Sequence, residues 1–114
     1  MPTSDTVLRV TRNGFGAAEP ELSQKLATTY FQLLDESDSL PGVIWFYPEG
    51  VKLVTSESPV LSSLRSLEEK GVHLVICNTY LKYYRLSDDV QVGIQGGMTD
   101  IIEAQQRAGK VITV

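Results

Sequence analysis

One thiol is present in the whole chain. Cys77 closes the apolar run Val-His-Leu-Val-Ile and is followed at once by Asn78, Thr79 and Tyr80. Placed at the end of a strand and the start of a helix, a thiol lies beside free backbone N–H groups that favour its thiolate. A thiolate can attack a donor's sulfur and then carry a persulfide. Cysteine is also among the most buried residue types, so the same position suits a small core residue. Both readings stand at this stage. The nearest candidate for a positive neighbour is Lys52, in the loop after the second strand, and it reads equally as a solvated surface lysine.

The other reactive side chains offer less. His73, the single histidine, opens the strand that Cys77 ends. It therefore belongs to the opposite edge of a sheet and is unsuited to serve as that thiol's base. A Ser-His-Asp set cannot be built around it, and one cysteine with one histidine makes a zinc site of the usual kind very poor. The Gly14-Phe15-Gly16 turn suggests nucleotide binding, but Glu19 stands where the third glycine of G-x-G-x-x-G belongs, and no acid follows at the required distance. A tight strand-to-helix turn is the better reading of those glycines. Trp45 and Phe46 read as core, and Glu68 and Glu69 as a solvated helix end. Tyr80, Tyr83 and Tyr84 crowd the segment after the thiol, where they can line a pocket, fill a subunit interface or simply pack.

Strand and helix signals alternate through the chain. Residues 6–11 read as a strand. A helix with Pro20 in its first turn follows, with Leu22, Leu26, Tyr30, Leu33 and Leu34 as its apolar stripe. Residues 42–47 are a second, doubly covered strand. The next helix has Ser58 as its cap, Pro59 at its first position, Leu61, Leu64 and Leu67 on its buried face, and Gly71 at its end. Residues 72–77 form the third strand. A short helix runs on through Leu86, and residues 90–94 form the fourth strand. Thr99 and Asp100 open the last helix, with Ile101, Ile102, Gln105 and Ala108 inward, and residues 110–114 are the final strand. This order predicts a three-layer α/β/α domain spanning residues 1–114, with a five-stranded, mostly parallel sheet.

Ligands of such sheets bind beyond the carboxyl ends of the strands. Five of the nine glycines fall in the loops of that edge, which places Asn13, Gly14, Gly16, Lys52, Asn78, Thr79, Tyr80, Gly96 and Gly97 with Cys77 as candidate site residues. A net charge of −4 with scattered basic residues argues against nucleic acid. The longest apolar runs fall far short of the roughly 18 residues a membrane span needs. A polar amino terminus and an unpaired cysteine suggest a cytoplasmic protein, and no cofactor or metal is expected.

Several segments together resemble the DsrE/DsrF-like sulfur-relay family, in particular its YedF branch, which is linked to sulfurtransferases and selenium metabolism. They are "NGFGAAEPELSQKL", "EGVKLVTSESPVLSSLRSLEEKGV", "CNTYLKYYRL" and "MTDIIEAQQRAGKVITV". The third is similar to the branch's C-G-T-C-L-x-Y-Y-G-L. The resemblance implies a parallel α/β domain that assembles into homo-oligomers, often trimers or hexamers. It also implies that Cys77 matches the cysteine able to carry persulfide sulfur, supplied and collected by donor and acceptor proteins. Asn78, Tyr80 and Arg85 replace the motif's first glycine, second cysteine and later glycine. Chemistry that needs two thiols is thereby removed. The branch usually has an N-terminal sulfur-carrier domain as well, which is not expected here. Three functions follow for testing: a sulfurtransferase-like relay on one thiol, a non-catalytic oligomeric binding or scaffold protein with a structural Cys77, and, more distantly, nucleotide binding.

Overall fold

The computed structural model describes residues 4–16 and 19–114. Nine regular elements follow in the order β1 (Thr6–Val10), α1 (Pro20–Glu36), β2 (Val43–Phe46), α2 (Leu61–Glu69), β3 (His73–Cys77), α3 (Asn78–Tyr83), β4 (Ile94–Gly96), α4 (Met98–Arg107) and β5 (Lys110–Thr113). Short 3₁₀ turns occupy Glu49–Val54 and Ser87–Asp89. The five strands pair in parallel in the order β4-β3-β2-β1-β5.

That order decides where the helices go. From β1 to β4 the chain steps always in one direction across the sheet, so right-handed crossovers place α1, α2 and α3 on the same face. The last crossover reverses, carrying α4 to the other face before β5 pairs with β1. Alternation along the strands matches this split. Leu8, Val10, Ile44, Phe46, Leu74 and Ile76 join Ala27, Phe31, Leu64, Leu67 and Leu81 in the larger core. Val7 and Trp45 point the other way and meet Ile101 of α4.

Only part of the stripe expected to bury α1 does so: Tyr30 and Leu34 are half-buried against the larger core. Ser23, Ala27 and Phe31 are the buried positions, whereas Leu22, Leu26 and Leu33 are exposed. Small residues set this rotation. A Cβ on Gly14 would lie 2.6 Å from the Cβ of Ser23, so the turn and the helix touch backbone to backbone. The Phe15 N–H donates to the Ser23 carbonyl at 2.8 Å, locking the approach. Phe15 then stacks against Tyr30 and Phe31 at 4.7 and 5.6 Å between ring centroids.

Other boundaries also move. Pro20 does start α1, but α2 begins at Leu61, because the Ser58 hydroxyl accepts from the Val60 N–H at 3.1 Å and closes a local turn rather than capping a helix. The fourth strand is not 90–94 but Ile94–Gly96. Val90 bridges to Thr55 instead, and Gly93, at φ 79°, turns the chain between the two. In α4 the inward residues are Ile101 and Ala104, with Ala108 joining them just past the helix end, while Ile102 is exposed and Gln105 stays outside the apolar cluster. The stretch after β2, read as a loop, coils into the 3₁₀ turn that buries Val51, Leu53 and Val54. A side chain on Gly50 would run into the Val10 carbonyl, so only glycine lets that turn sit against β1.

Candidate functional site

Strand β3 carries Cys77 to the carboxyl edge of the sheet, in register with Gly96 of β4. Its backbone (φ −66°, ψ 115°) leaves the strand and immediately opens α3. The side chain turns inward and is only 3% exposed, inside the larger core that also holds Ile76 and Leu81. α3 is six residues long, too short to build up much of a dipole at its first turn. His73 lies at the other end of the same strand, about 13 Å away at the usual rise per residue.

A cavity of about 460 Å³ opens on the same edge as the thiol, and Cys77 does not line it. Asn13 reaches it from the turn after β1, and Gln24 from α1. The segment after β2 supplies Lys52, Thr55, Glu57 and Ser58, and the end of α3 supplies Tyr84 and Leu86. Each is placed by local chemistry. The Thr55 hydroxyl donates to the Lys52 carbonyl at 2.7 Å and closes the 3₁₀ turn that bears Lys52. The Lys52 ammonium then lies over the Tyr84 ring, 4.5 Å from its centroid, a cation–π arrangement. Burial, followed by the charge of Glu49 and the neighbouring Tyr83 and Tyr80, pushes the Tyr84 phenol above its usual value, so at neutral pH it keeps its proton.

The turn after α3 holds Tyr84 and Leu86 in place. The Arg85 N–H donates to the Lys82 carbonyl at 3.1 Å, and the Leu86 N–H to the Leu81 carbonyl at 2.8 Å. This is a Schellman turn, and it puts Arg85 at φ 58°, in the left-handed region. The end of α2 repeats it: the Gly71 N–H donates to Glu68 and the Val72 N–H to Leu67, both at 3.1 Å, with glycine at the left-handed position.

Of the residues expected at the site, Asn13 and Lys52 meet in this cavity. Gly14 and Gly16 shape the turn before α1, with the Gly16 carbonyl accepting from the Ser23 hydroxyl at 3.3 Å. Asn78 and Thr79 form the first turn of α3, and Tyr80 packs against the large core. Gly96 is wedged between Val75 and Trp45, and the Gly97 N–H is capped by the Asp100 carboxylate at 2.9 Å. Gln24, Thr55, Glu57, Ser58 and Leu86 were missed. Gln24 and Leu86 lie outside the strand-end loops that the sheet rule selects, and nothing in their local sequence marks them. Glu57 and Ser58 stand just past Lys52, and a longer reading of that loop would have included them.

On the opposite edge, a groove of about 450 Å³ runs beside α4 and is lined by Asp5, His73, Glu103 and Arg107 among others. Arg107 is already paired with Glu103 at 2.8 Å. Among the described residues no three His, Cys, Asp or Glu side chains are grouped to hold a metal, and no helix is long and apolar enough to cross a membrane.

A parallel sheet ordered 4-3-2-1-5, with its thiol and its polar cavity on the carboxyl edge, defines a class of small α/β proteins. The chain belongs to the DsrE/DsrF-like family, whose sequence profile matches residues 12–114. Two solved structures share the fold. The ychN protein from E. coli superposes with a TM-score of 0.65 at 17% identity, covering 96% of this chain and 98% of that one. A protein of unknown function from Methanobacterium thermoautotrophicum, MTH1491, superposes with a TM-score of 0.67 at 18% identity, over 96% and 97% of the two chains. No curated protein matches the chain.

Proposed function

We propose that this chain is a ligand-binding protein on the DsrE/DsrF scaffold, with its binding surface on the carboxyl edge and Cys77 serving as a core residue. The observation that carries this reading is the 3% exposure of Cys77 within the larger apolar core. A sulfur acceptor must meet a donor's sulfur in line, and a thiol buried in the larger apolar core offers no such approach. The polar groups of the edge gather instead around Lys52 and Tyr84.

The second reading is sulfur or selenium relay through a persulfide on Cys77, as in the YedF branch. Its support is the position of Cys77 at the junction of β3 and α3, together with the "CNTYLKYYRL" motif. Relay would require α3 to move away from the core. With Tyr80 where the motif has its second cysteine, a persulfide there would last until an external thiolate attacked it.

One experiment separates the two. The native protein is incubated with a persulfide donor and weighed by mass spectrometry, with Cys77→Ala beside it, and iodoacetamide labelling is followed with and without denaturant. The binding reading expects no added sulfur on wild type and labelling only after unfolding. One extra sulfur on wild type that is absent from Cys77→Ala would establish the relay.

Self-association also belongs to this proposal. Leu22, Leu26 and Leu33 make an uncovered apolar stripe on α1, beside Phe15 and Tyr30. Tyr83 on α3 is 78% exposed. Such surfaces are uncommon on lasting monomers.

A further inference from the structure

We propose that the cavity holding Lys52 binds a small α-amino carboxylate, with the carboxylate at Lys52 and the ammonium at Glu57. This rests on the reading of the carboxyl edge as a ligand-binding surface and names the ligand class.

The polar groups are present but unused. Among the described residues Lys52 forms no ion pair, and its only close partner is the Tyr84 ring at 4.5 Å. The side-chain amides of Asn13 and Gln24 make no hydrogen bond among the described residues, nor does the Glu57 carboxylate, yet all three line the same cavity. Ser58 has its oxygen engaged by the Val60 N–H, which leaves its O–H free to donate. One cation and one anion therefore face a common space without pairing to each other, flanked by two solvent-accessible amides and a hydroxyl.

A ligand completing this set carries its own anion and its own donor, separated by a short link. An oxyanion alone would satisfy Lys52 and the amides but would meet the Glu57 charge; an amine alone would meet Lys52. The α-amino carboxylate satisfies both ends, and Leu86 with the edge of Tyr84 leaves an apolar wall for a small side chain. At about 460 Å³ the cavity falls in the size range of small-molecule sites.

The test is a titration of the ¹⁵N-labelled full chain, followed by NMR, with glycine, L-alanine, L-serine, acetate, methylamine and inorganic phosphate as separate probes. At least one of the three amino acids is expected to shift the amides of residues 13, 24, 52–58 and 84–86 saturably, more tightly than acetate, with methylamine silent. Lys52→Met keeps the apolar stem and should weaken amino-acid binding by about tenfold or more, the effect of losing a charge-assisted hydrogen bond. Lys52→Arg should keep most of the affinity. Glu57→Gln should bring amino-acid binding down to the acetate level while leaving acetate unchanged or tighter. Thermal melts on each variant confirm that it is folded. Phosphate or acetate binding as tightly as every amino acid would make this a plain anion site and overturn the assignment. So would the absence of saturable shifts at these residues, or Lys52→Met binding like wild type. The labelling of Cys77 is read separately, so a reactive thiol would sink the core-residue reading without touching this one.

Discussion

Replacing Arg85 with glycine should make the protein more stable, although it removes a long side chain and adds none. Arg85 occupies the left-handed position of the Schellman turn after α3, at φ 58°, while Gly71 occupies the same position after α2, at φ 99°. A Cβ in that region costs about 1–2 kcal/mol. Glycine gives back part of the gain, because its unfolded chain is freer by about 0.5–1 kcal/mol. Arg85 is exposed and forms no ion pair among the described residues, so little else is lost. The net is a stabilisation of about 0.5–1 kcal/mol, which for a chain of this length raises Tm by roughly 2–5 °C. Urea unfolding should show a higher midpoint at an unchanged slope. Arg85→Ala is the control. It deletes the same side chain but keeps the Cβ, so it should leave stability within about 0.5 kcal/mol of wild type. The reciprocal change, Gly71→Ala, should cost about 1 kcal/mol or more. If Arg85→Ala stabilises as much as Arg85→Gly, the gain comes from the arginine side chain and the backbone argument is wrong. A glycine variant less stable than wild type would refute it outright.

Three further outcomes are expected. Cys77→Ala should lower stability by about 0.5–1.5 kcal/mol, the range for deleting a methyl-sized group from a core, and a neutral result would place the sulfur outside the packed interior. Light scattering at micromolar concentration should report an oligomer that Leu26→Lys and Leu33→Lys weaken, and a monomeric wild type would remove the interface reading of α1. Asp35 ties the end of α1 to the end of α2 through Lys70 at 2.9 Å. Burial would raise its pKa, but hydrogen bonds from Lys70 and Ser66 and the Lys70 charge outweigh that and hold it below the ordinary 3.8. A lowered folded value means that its stabilisation is complete above about pH 5 and disappears as pH falls through the folded value. Asp35→Asn should therefore cost a few tenths to about 1 kcal/mol near neutrality. That difference should fade on acidification; a gap that widens below pH 4 would contradict the assigned direction.

The order of elements was legible because apolar runs, prolines and glycines mark strands, helix starts and helix ends independently of tertiary contact. Pro20 and Gly71 fell where their chemistry places them. The rotation of α1 was not legible, since leucine periodicity points one way while the close approach of Ser23 to Gly14 imposes the other. β4 was misplaced because a three-residue strand is defined by pairing with β3, not by its own composition. For the candidate site, the sheet rule picked out Asn13 and Lys52 of the cavity on that edge but passed over its other lining residues. Gln24 projects from a helix and Leu86 follows one, so only the folded turns bring them to Lys52. Burial of Cys77 was equally invisible, because a strand-end residue can face either way.

The strand order has a consequence for synthesis. β1 is made first, yet its outer neighbour β5 is separated from it by about a hundred residues, with Thr6 aligned to Lys110. Strands β1 to β4 can assemble as they emerge, but until α4 and β5 appear the nascent sheet shows an open edge at β1 and a bare apolar face around Val7 and Trp45. Unpaired parallel edges recruit other chains. The interval between completing β4 and docking β5 is thus the period in which a new molecule is most exposed to aggregation.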